Sequence, residues 1–138
     1  MPKVTRIDHV AIVTGNVDEA LSFWRDALGI ELSHLEDVPA EGAKVAFLPL
    51  GRSEIELVNP TTTDSGLAQY LEKRGPGMHH LCLEVEDIEG MLAGLKESGI
   101  QLINEQPLVG MGGRRYAFIH PKSANGVMVE LYELKRDS

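Results

Sequence analysis

The sequence contains one short pattern twice, and this internal repeat constrains the fold more than any other feature. Three positions of the first half match positions 71 residues later in the second half. Two of the pairs are identical residues, and the third pairs two small residues. The matched pairs are His9 with His80, Ala11 with Cys82, and Phe47 with Phe118. A shift of 74 places IEL (55–57) on VEL (129–131), and such small changes of shift belong in loops, which tolerate insertions. The repeat therefore predicts two copies of one supersecondary unit.

The local patterns in each half predict the order β-α-β-β-β, and thus an α+β chain. Strands are indicated by β-branched and apolar runs, and helices by apolar residues three and four positions apart, with Gly29 ending the first helix. The predicted strands are 6–13, 31–38, 43–50, 53–58, 81–85, 100–104, 114–120 and 126–133, and the predicted helices are 17–28, 66–74 and 87–98. We expect one domain, made of modules 5–60 and 77–133 joined by a short helix at 65–74.

Composition excludes several classes of partner. Lys and Arg number 13 against 21 Asp and Glu, which gives a net charge of −8, so the molecule as a whole repels nucleic acid and acidic membranes. Cys82 is the single cysteine, so no internal disulfide can form, and this suits a reducing cytosol. The sequence shows neither a signal peptide nor an apolar run long enough to span a membrane. We therefore expect a cytoplasmic protein.

Each half carries one histidine on its first predicted strand and one glutamate on its last. Glu56 follows His9 by 47 residues and Glu130 follows His80 by 50 residues. Both glutamates stand among large apolar residues, where a carboxylate needs a partner. Two equivalent modules would bring the four side chains to one centre, and two imidazoles with two carboxylates suit a divalent ion such as Zn²⁺, Ni²⁺, Co²⁺ or Mn²⁺. Taken singly, each residue is more often structural or solvent-facing.

The adjacent histidines of GMHHLCLEV (77–85) play different parts in this interpretation. His80 occupies the repeat position of His9, whereas His79 occupies that of Asp8. Because neighbouring residues of a strand point to opposite faces, both cannot look into one site. We therefore assign His80 to the site and His79 to a structural position.

Several segments together resemble a known family over residues 5 to 133. IDHVAI, AFLPLG, EIELVNP, MHHLCLEV, AFIHPKSANGV and VELYE resemble the methylmalonyl-CoA epimerases of the vicinal oxygen chelate superfamily, which also includes glyoxalases, bleomycin resistance proteins and dioxygenases. The resemblance implies two βαβββ modules curled into a U-shaped mixed sheet around one metal ion held by His9, Glu56, His80 and Glu130. It also implies interconversion of (R)- and (S)-methylmalonyl-CoA, and a homodimer.

Epimerisation requires an acid–base group on each side of the reacting carbon. Some epimerases that the chain resembles carry a glutamate on the strand AKVAFLPL (43–50), but Val45 stands at that position here. We therefore expect Glu130 to serve one side and Glu56 the other, each doubling as a ligand. Lys44 is a weaker alternative, because on a strand it should point away from the side that Val45 faces.

A coenzyme A ester also requires cations. Arg114 and Arg115 follow the glycine-rich GMGG, and Lys122 follows a His-Pro pair. Guanidinium and ammonium groups suit phosphate, so these three residues are the predicted substrate-binding set, although a solvated loop would look the same. GMGG itself lacks the features of a P-loop and more simply supplies a tight turn.

Other functions remain open at this level. A lactoylglutathione lyase would use the same ligands for proton transfer on a glutathione hemithioacetal. A dioxygenase with two histidines and one carboxylate would leave one module without ligands. A drug-sequestering protein of the same fold would need no metal ligands at all.

Overall fold

The computed structural model describes residues 2–133, which form two compact units. Unit 2 comprises residues 9–79, and unit 1 comprises residues 2–8 together with 80–133 of the described chain. The strands are β1 (Val4–Val13), β2 (His34–Val38), β3 (Ala43–Leu50), β4 (Ser53–Pro60), β5 (Gly77–Val85), β6 (Leu108–Val109), β7 (Arg115–Ile119) and β8 (Val129–Glu133), and the α-helices are α1 (Val17–Leu21), α2 (Gly66–Arg74) and α3 (Ile88–Glu97). The α+β class is confirmed.

In unit 2 the strands are ordered β2-β3-β4-β1. The hairpins β2–β3 and β3–β4 are antiparallel, whereas β4 pairs with β1 in parallel. The parallel pair requires a long crossover connection, and α1 begins that connection. Its first turn is capped by the side chain of Asn16, which accepts a hydrogen bond from the Glu19 backbone N–H. A π-helical segment, Ser22–Ala27, continues α1, so the predicted helix 17–28 is confirmed with a wider final turn.

The two faces of the unit 2 sheet differ in what they pack against. One face packs on α1 through a core cluster that contains Val17, Leu21, Ala46, Leu48 and Leu57. The other face carries a smaller apolar cluster of Ala11, Ala43, Val45 and Val58, against which Leu67 of α2 packs. Polar side chains that the sheet must accommodate stand on this second face, among them His9.

Unit 1 repeats the arrangement with the order β5-β8-β7-β6. β5 and β8 are parallel, and β7 is antiparallel to both β6 and β8. Helix α3, capped by Asp87, packs on one face through a cluster of Val85, Ile88, Met91, Leu92, Ala117, Ile119 and Leu131. The first residues of β1 belong to this unit, and the Thr5 hydroxyl donates to the Glu84 backbone carbonyl at 3.2 Å.

One predicted strand of the second module is wrong. IQLIN (100–104) contains only an isolated bridge between Leu102 and Ile119. The Asn104 side-chain oxygen accepts a hydrogen bond from the Phe118 backbone N–H at 2.9 Å. In a regular β-ladder this N–H would donate to a backbone carbonyl instead. The short strand β6, which the sequence did not predict, follows instead.

No helix within residues 2–133 is long and apolar enough to cross a bilayer.

The α1-facing core should dominate the stability of unit 2. Leu57 is 0 % exposed, whereas Leu50 in the β3–β4 hairpin is 47 % exposed. We expect Leu57→Ala to lower the free energy of unfolding by about 2–5 kcal/mol, because it removes buried methyl groups and leaves a cavity. Leu50→Ala should change it by less than about 0.5 kcal/mol. Urea unfolding followed by circular dichroism measures both, and similar losses would contradict the assigned core.

Candidate functional site

The parallel pairing of the first and last strands of unit 2 brings a histidine to a glutamate. Ala11 lies opposite Glu56, and His9 stands two residues earlier on β1, hence on the same face. The His9 Nδ1 atom lies 3.1 Å from the Glu56 Oε2 atom. His9 is only 3 % exposed, so the carboxylate supplies the polar partner that a buried imidazole requires.

Unit 1 contains the same arrangement. Cys82 lies opposite Glu130 in the parallel β5–β8 pair, and His80 stands two residues before Cys82. The His80 Nε2 atom lies 3.1 Å from the Glu130 Oε1 atom. Glu130 is 8 % exposed, and on both strands this face is the one turned away from α3.

The register of the third strand completes the equivalence. Phe47 lies opposite Glu56, and Phe118 lies opposite Glu130. In unit 1 the Phe118 ring meets His80 edge-on, with centroids 5.8 Å apart. The repeat read from the sequence is thus a repeat of strand register. Each unit presents a nitrogen and a carboxylate oxygen, donors that fit a borderline divalent ion.

Val45 lies on the same face as Glu56, and its cross-strand partner on β2 is another acidic residue. On β3 it stands two residues before Phe47, and across β2 its partner is Glu36. The Glu36 Oε2 atom lies 3.7 Å from His34 Nε2. Lys44 faces the other side of the sheet, as strand alternation predicts. Sequence reasoning did not single out Glu36, although its register follows from the PAEG turn.

The remaining histidines of the described chain have structural contacts. The His79 ring packs edge-on against Tyr70 of α2 at 4.7 Å between centroids. His34 stacks on Phe47 at 4.5 Å. His120 caps the turn Pro121–Ser123 by accepting a hydrogen bond from the Lys122 backbone N–H.

The three predicted substrate-binding cations lie in different surroundings. Arg115 stands on the α3 side of the unit 1 sheet, where its guanidinium is 2.8 Å from Glu89 and 2.5 Å from Glu133. Lys122 is exposed. Arg114 precedes β7 after a turn in which Gly112 and Gly113 adopt φ of 71° and 77°, a conformation that favours glycine.

Arg114 reaches the face that carries Glu130. Its guanidinium lies over the Tyr132 ring, 4.0 Å from the centroid. One of its terminal nitrogens is 3.5 Å from Asp8 Oδ2 and 3.9 Å from Glu130 Oε2. The predicted cation is therefore beside the candidate acid–base residue.

A network of charged residues contacts the hydroxyl end of Tyr132. Its hydroxyl donates to Glu84 Oε2 at 3.1 Å, and Arg6 contacts both Glu84 and Asp8. Burial, together with the negative charge of Asp8, raises the pKa of Tyr132 to about 12. Burial alone would raise the pKa of Glu84, but hydrogen bonds from Thr5 and Tyr132 and the charge of Arg6 outweigh it, so that pKa is lowered.

Sequence reasoning missed this network, although a signal was present. Arg6 and Asp8 are two residues apart on β1, and Glu84 stands two residues after Cys82 on β5. Polar residues at alternate positions of otherwise apolar strands indicate one polar face. That periodicity would have placed Glu84 and Tyr132 beside Glu130.

Comparison with known proteins supports one family. The model of the Glyoxalase/Bleomycin resistance protein/Dioxygenase superfamily matches residues 8–118. The mitochondrial methylmalonyl-CoA epimerase of Mus musculus is 37% identical over 130 residues, which are 94% of this chain and 73% of that protein. The chain belongs to the methylmalonyl-CoA epimerase family.

Solved structures agree with this assignment. A variant of the Streptomyces coelicolor methylmalonyl-CoA epimerase in complex with 2-nitronate-propionyl-CoA matches with a TM-score of 0.85 and 32% identity, over 95% of each chain. A methylmalonyl-CoA epimerase in complex with methylmalonyl-CoA and NH4+ gives the same values. A lactoylglutathione lyase of Arabidopsis thaliana is a more distant relative, at 27% identity, and this chain covers 44% of it.

Arg6 should control the titration of Glu84. Arg6→Met removes a positive charge and a hydrogen bond that lower the pKa of Glu84. Burial, which raises this pKa, then has a larger share, so we expect the pKa of Glu84 to rise. A carboxylate with a lowered folded pKa adds stability above its unfolded pKa, which is lost as pH falls through the folded pKa. The variant should therefore lose stability at neutral pH and show a weaker acid dependence.

Side-chain ¹³C NMR titration measures this pKa directly. Arg25→Met is the matched control, because Arg25 lowers the pKa of Asp26 in the same way but at an exposed site of unit 2. An unchanged Glu84 titration in Arg6→Met would show that Arg6 does not hold this carboxylate.

Proposed function

We propose that this protein interconverts the (R) and (S) epimers of methylmalonyl-CoA. The observation that carries the proposal is the pair of equivalent His–Glu contacts, each 3.1 Å long, on matching faces of the two units. Family membership supports it, as does a solved relative with methylmalonyl-CoA bound. The reaction removes a proton from one side of a carbon and delivers another proton to the opposite side, so it needs two acid–base groups.

We further propose that His9, Glu56, His80 and Glu130 hold one divalent ion. Imidazole nitrogen and carboxylate oxygen are its usual donors, and Co²⁺, Ni²⁺, Zn²⁺ and Mn²⁺ all accept such a set. When bound, the ion would stabilise negative charge that develops on a thioester oxygen. Within each unit, the 3.1 Å contact keeps imidazole and carboxylate together on one face.

In this proposal two carboxylates divide the proton transfer. Glu130, as the carboxylate, accepts the proton from the carbon between thioester and carboxylate on one side, and Glu56, as the protonated acid, delivers its proton to that carbon on the other side. In the reverse direction the roles exchange. Each carboxylate lies 3.1 Å from an imidazole nitrogen, a contact that orients the carboxylate on its face of the sheet.

Other assignments accompany this function. We propose an acyl-CoA thioester as the substrate and a cytoplasmic homodimer as the working form. Lys122 is a candidate for the phosphates, and Arg115 is a second candidate that would have to exchange its contacts with Glu89 and Glu133 for them. The net charge of −8 supports local cation contacts rather than a general attraction for anions.

The direct test of function incubates the Co²⁺-loaded protein with one epimer of methylmalonyl-CoA in D₂O. We expect inversion accompanied by deuterium at the reacting carbon. Parallel reactions contain the glutathione hemithioacetal of methylglyoxal. Conversion of the hemithioacetal without inversion of methylmalonyl-CoA would overturn the proposal in favour of a lactoylglutathione lyase.

The adjacent histidines give a sharp test of the metal ligands. His80→Ala removes a proposed ligand, so we expect Co²⁺ affinity to fall by more than the ~10- to 100-fold that loss of an outer partner costs. His79→Ala removes the ring contact with Tyr70 and should retain the ion. Equilibrium dialysis with metal analysis measures both, and equal metal loss would contradict the assignment.

Glu56 should be both ligand and proton carrier. Glu56→Gln keeps an oxygen donor but cannot carry a proton, so we expect most metal to remain while epimerisation falls about 10²-fold or more. Exchange of the substrate proton from the side that Glu130 serves should persist. Glu72→Gln, on the exposed side of α2, is the control. Near wild-type epimerisation by Glu56→Gln would show that Glu56 is not the second acid–base residue. Glu36, which lies opposite Val45, would then be tested.

A further inference from the structure

Arg114 lies near Asp8 and Glu130, in surroundings that differ from those of its neighbour Arg115. Its neighbour Arg115 faces α3 and is held there by Glu89 and Glu133. Arg114 instead turns to the face that carries Glu130, where its guanidinium carbon lies 4.0 Å from the centroid of the Tyr132 ring. Such a cation–π contact holds the guanidinium beside Glu130.

The edge of this guanidinium points to the candidate acid–base residue. Its Nη2 atom lies 3.9 Å from Glu130 Oε2 and 3.5 Å from Asp8 Oδ2. Both separations exceed the 2.7–2.9 Å typical of tight charge-assisted hydrogen bonds. By contrast, Arg6 approaches the same Asp8 to 2.9 Å. The Nη2 atom of Arg114 also lies 3.5 Å from Cys82 Sγ, and a substrate carboxylate would replace these long contacts with shorter and stronger ones.

The exposure of these groups suits a ligand that arrives from solvent. The Arg114 side chain is 35% exposed, whereas that of Glu130 is 10% exposed. The Arg114 side chain is thus more accessible to solvent than the carboxylate beside it, on the same face of unit 1. Tyr132, held from below by Glu84, keeps it there.

The substrate of the proposed function has a matching anion. In methylmalonyl-CoA the reacting carbon bears a free carboxylate, and removal of its proton adds negative charge beside that carboxylate. A guanidinium can accept a carboxylate through two parallel hydrogen bonds, and its charge opposes the repulsion that grows in the transition state.

We propose that Arg114 binds the free carboxylate of the substrate and thereby selects malonyl-type thioesters over simple acyl thioesters. This inference rests on the proposed function, because the substrate class comes from there. It assigns Arg114 to the reacting end of the substrate rather than to the nucleotide end. A merely positioning role, in which Arg114 only orients Glu130, would affect all thioesters alike.

The test compares two ligands that differ only in the carboxylate. Binding of malonyl-CoA and acetyl-CoA to the Co²⁺-loaded protein is measured by calorimetry for wild type and for Arg114→Met. We expect the variant to lose about 10- to 100-fold in malonyl-CoA affinity, the worth of a charged hydrogen bond, and to bind acetyl-CoA within about threefold of wild type. Arg74→Met is the matched control, since Arg74 lies over Tyr70 at 5.2 Å.

A kinetic arm uses the reacting carbon itself. Proton exchange in D₂O is followed for methylmalonyl-CoA and for 2-methylacetoacetyl-CoA, in which a neutral ketone replaces the carboxylate. Arg114→Met should slow the first by about 10²-fold and leave the second within about threefold. If this variant does not fold, Arg114→Gln carries the same comparison, because an amide keeps polarity without charge.

The outcomes separate this inference from the proposed function. Equal losses for malonyl-CoA and acetyl-CoA, or for both exchange substrates, would overturn the assignment and leave Arg114 a positioning residue. Failure of the wild-type protein to invert methylmalonyl-CoA would overturn the proposed function. The binding ratio would then still report whether Arg114 recognises a carboxylate.

Discussion

The parallel pairing of the first and last strand in each module is the constraint on which the candidate site depends. It places Glu56 opposite Ala11 and Glu130 opposite Cys82, so that each carboxylate meets the histidine two residues earlier on the neighbouring strand. A slip of one residue would turn every side chain of the strand to the other face. Each glutamate would then face the apolar layer beneath a helix and lose its contact with the histidine.

The helix-facing layers protect this register. Leu57 and Leu131 follow the two glutamates directly, and both are buried on the opposite face of their strands, at 0 % and 2 % exposure. Neighbouring side chains of a strand point to opposite faces. When these leucines face the helix, the glutamates before them must therefore face the other side. The stability of the core and the geometry of the site therefore share the same pairing.

Much of this arrangement could be predicted because the repeat reports register. The shift of 71 that matches Phe47 with Phe118 proves to match two cross-strand partners of the paired glutamates. IQLIN could not be predicted, because its apolar pattern suits a strand while Asn104 takes a backbone donor through its side chain. Arg114 and Arg115 look alike in sequence, and only the start of β7 at Arg115 separates their surroundings.

The charges around the site also follow the two-faced design of the sheet. In unit 1, Arg6, Asp8 and Glu84 form a charged network that contacts the Tyr132 hydroxyl through Glu84. Arg114 lies over the face of the Tyr132 ring. A cation is thus held beside Glu130 in a protein whose net charge is −8. Local structure, rather than overall charge, decides which anions such a protein can bind.

The proposal that links these observations is that the two His–Glu pairs act as one ligand set. Anomalous diffraction at the cobalt edge, from crystals grown with Co²⁺, tests it most directly. We predict one peak per chain, with His9, Glu56, His80 and Glu130 each contributing an atom at about 2.0–2.3 Å. Two separate peaks, one at each pair, or a single peak bound by one pair alone, would contradict the account.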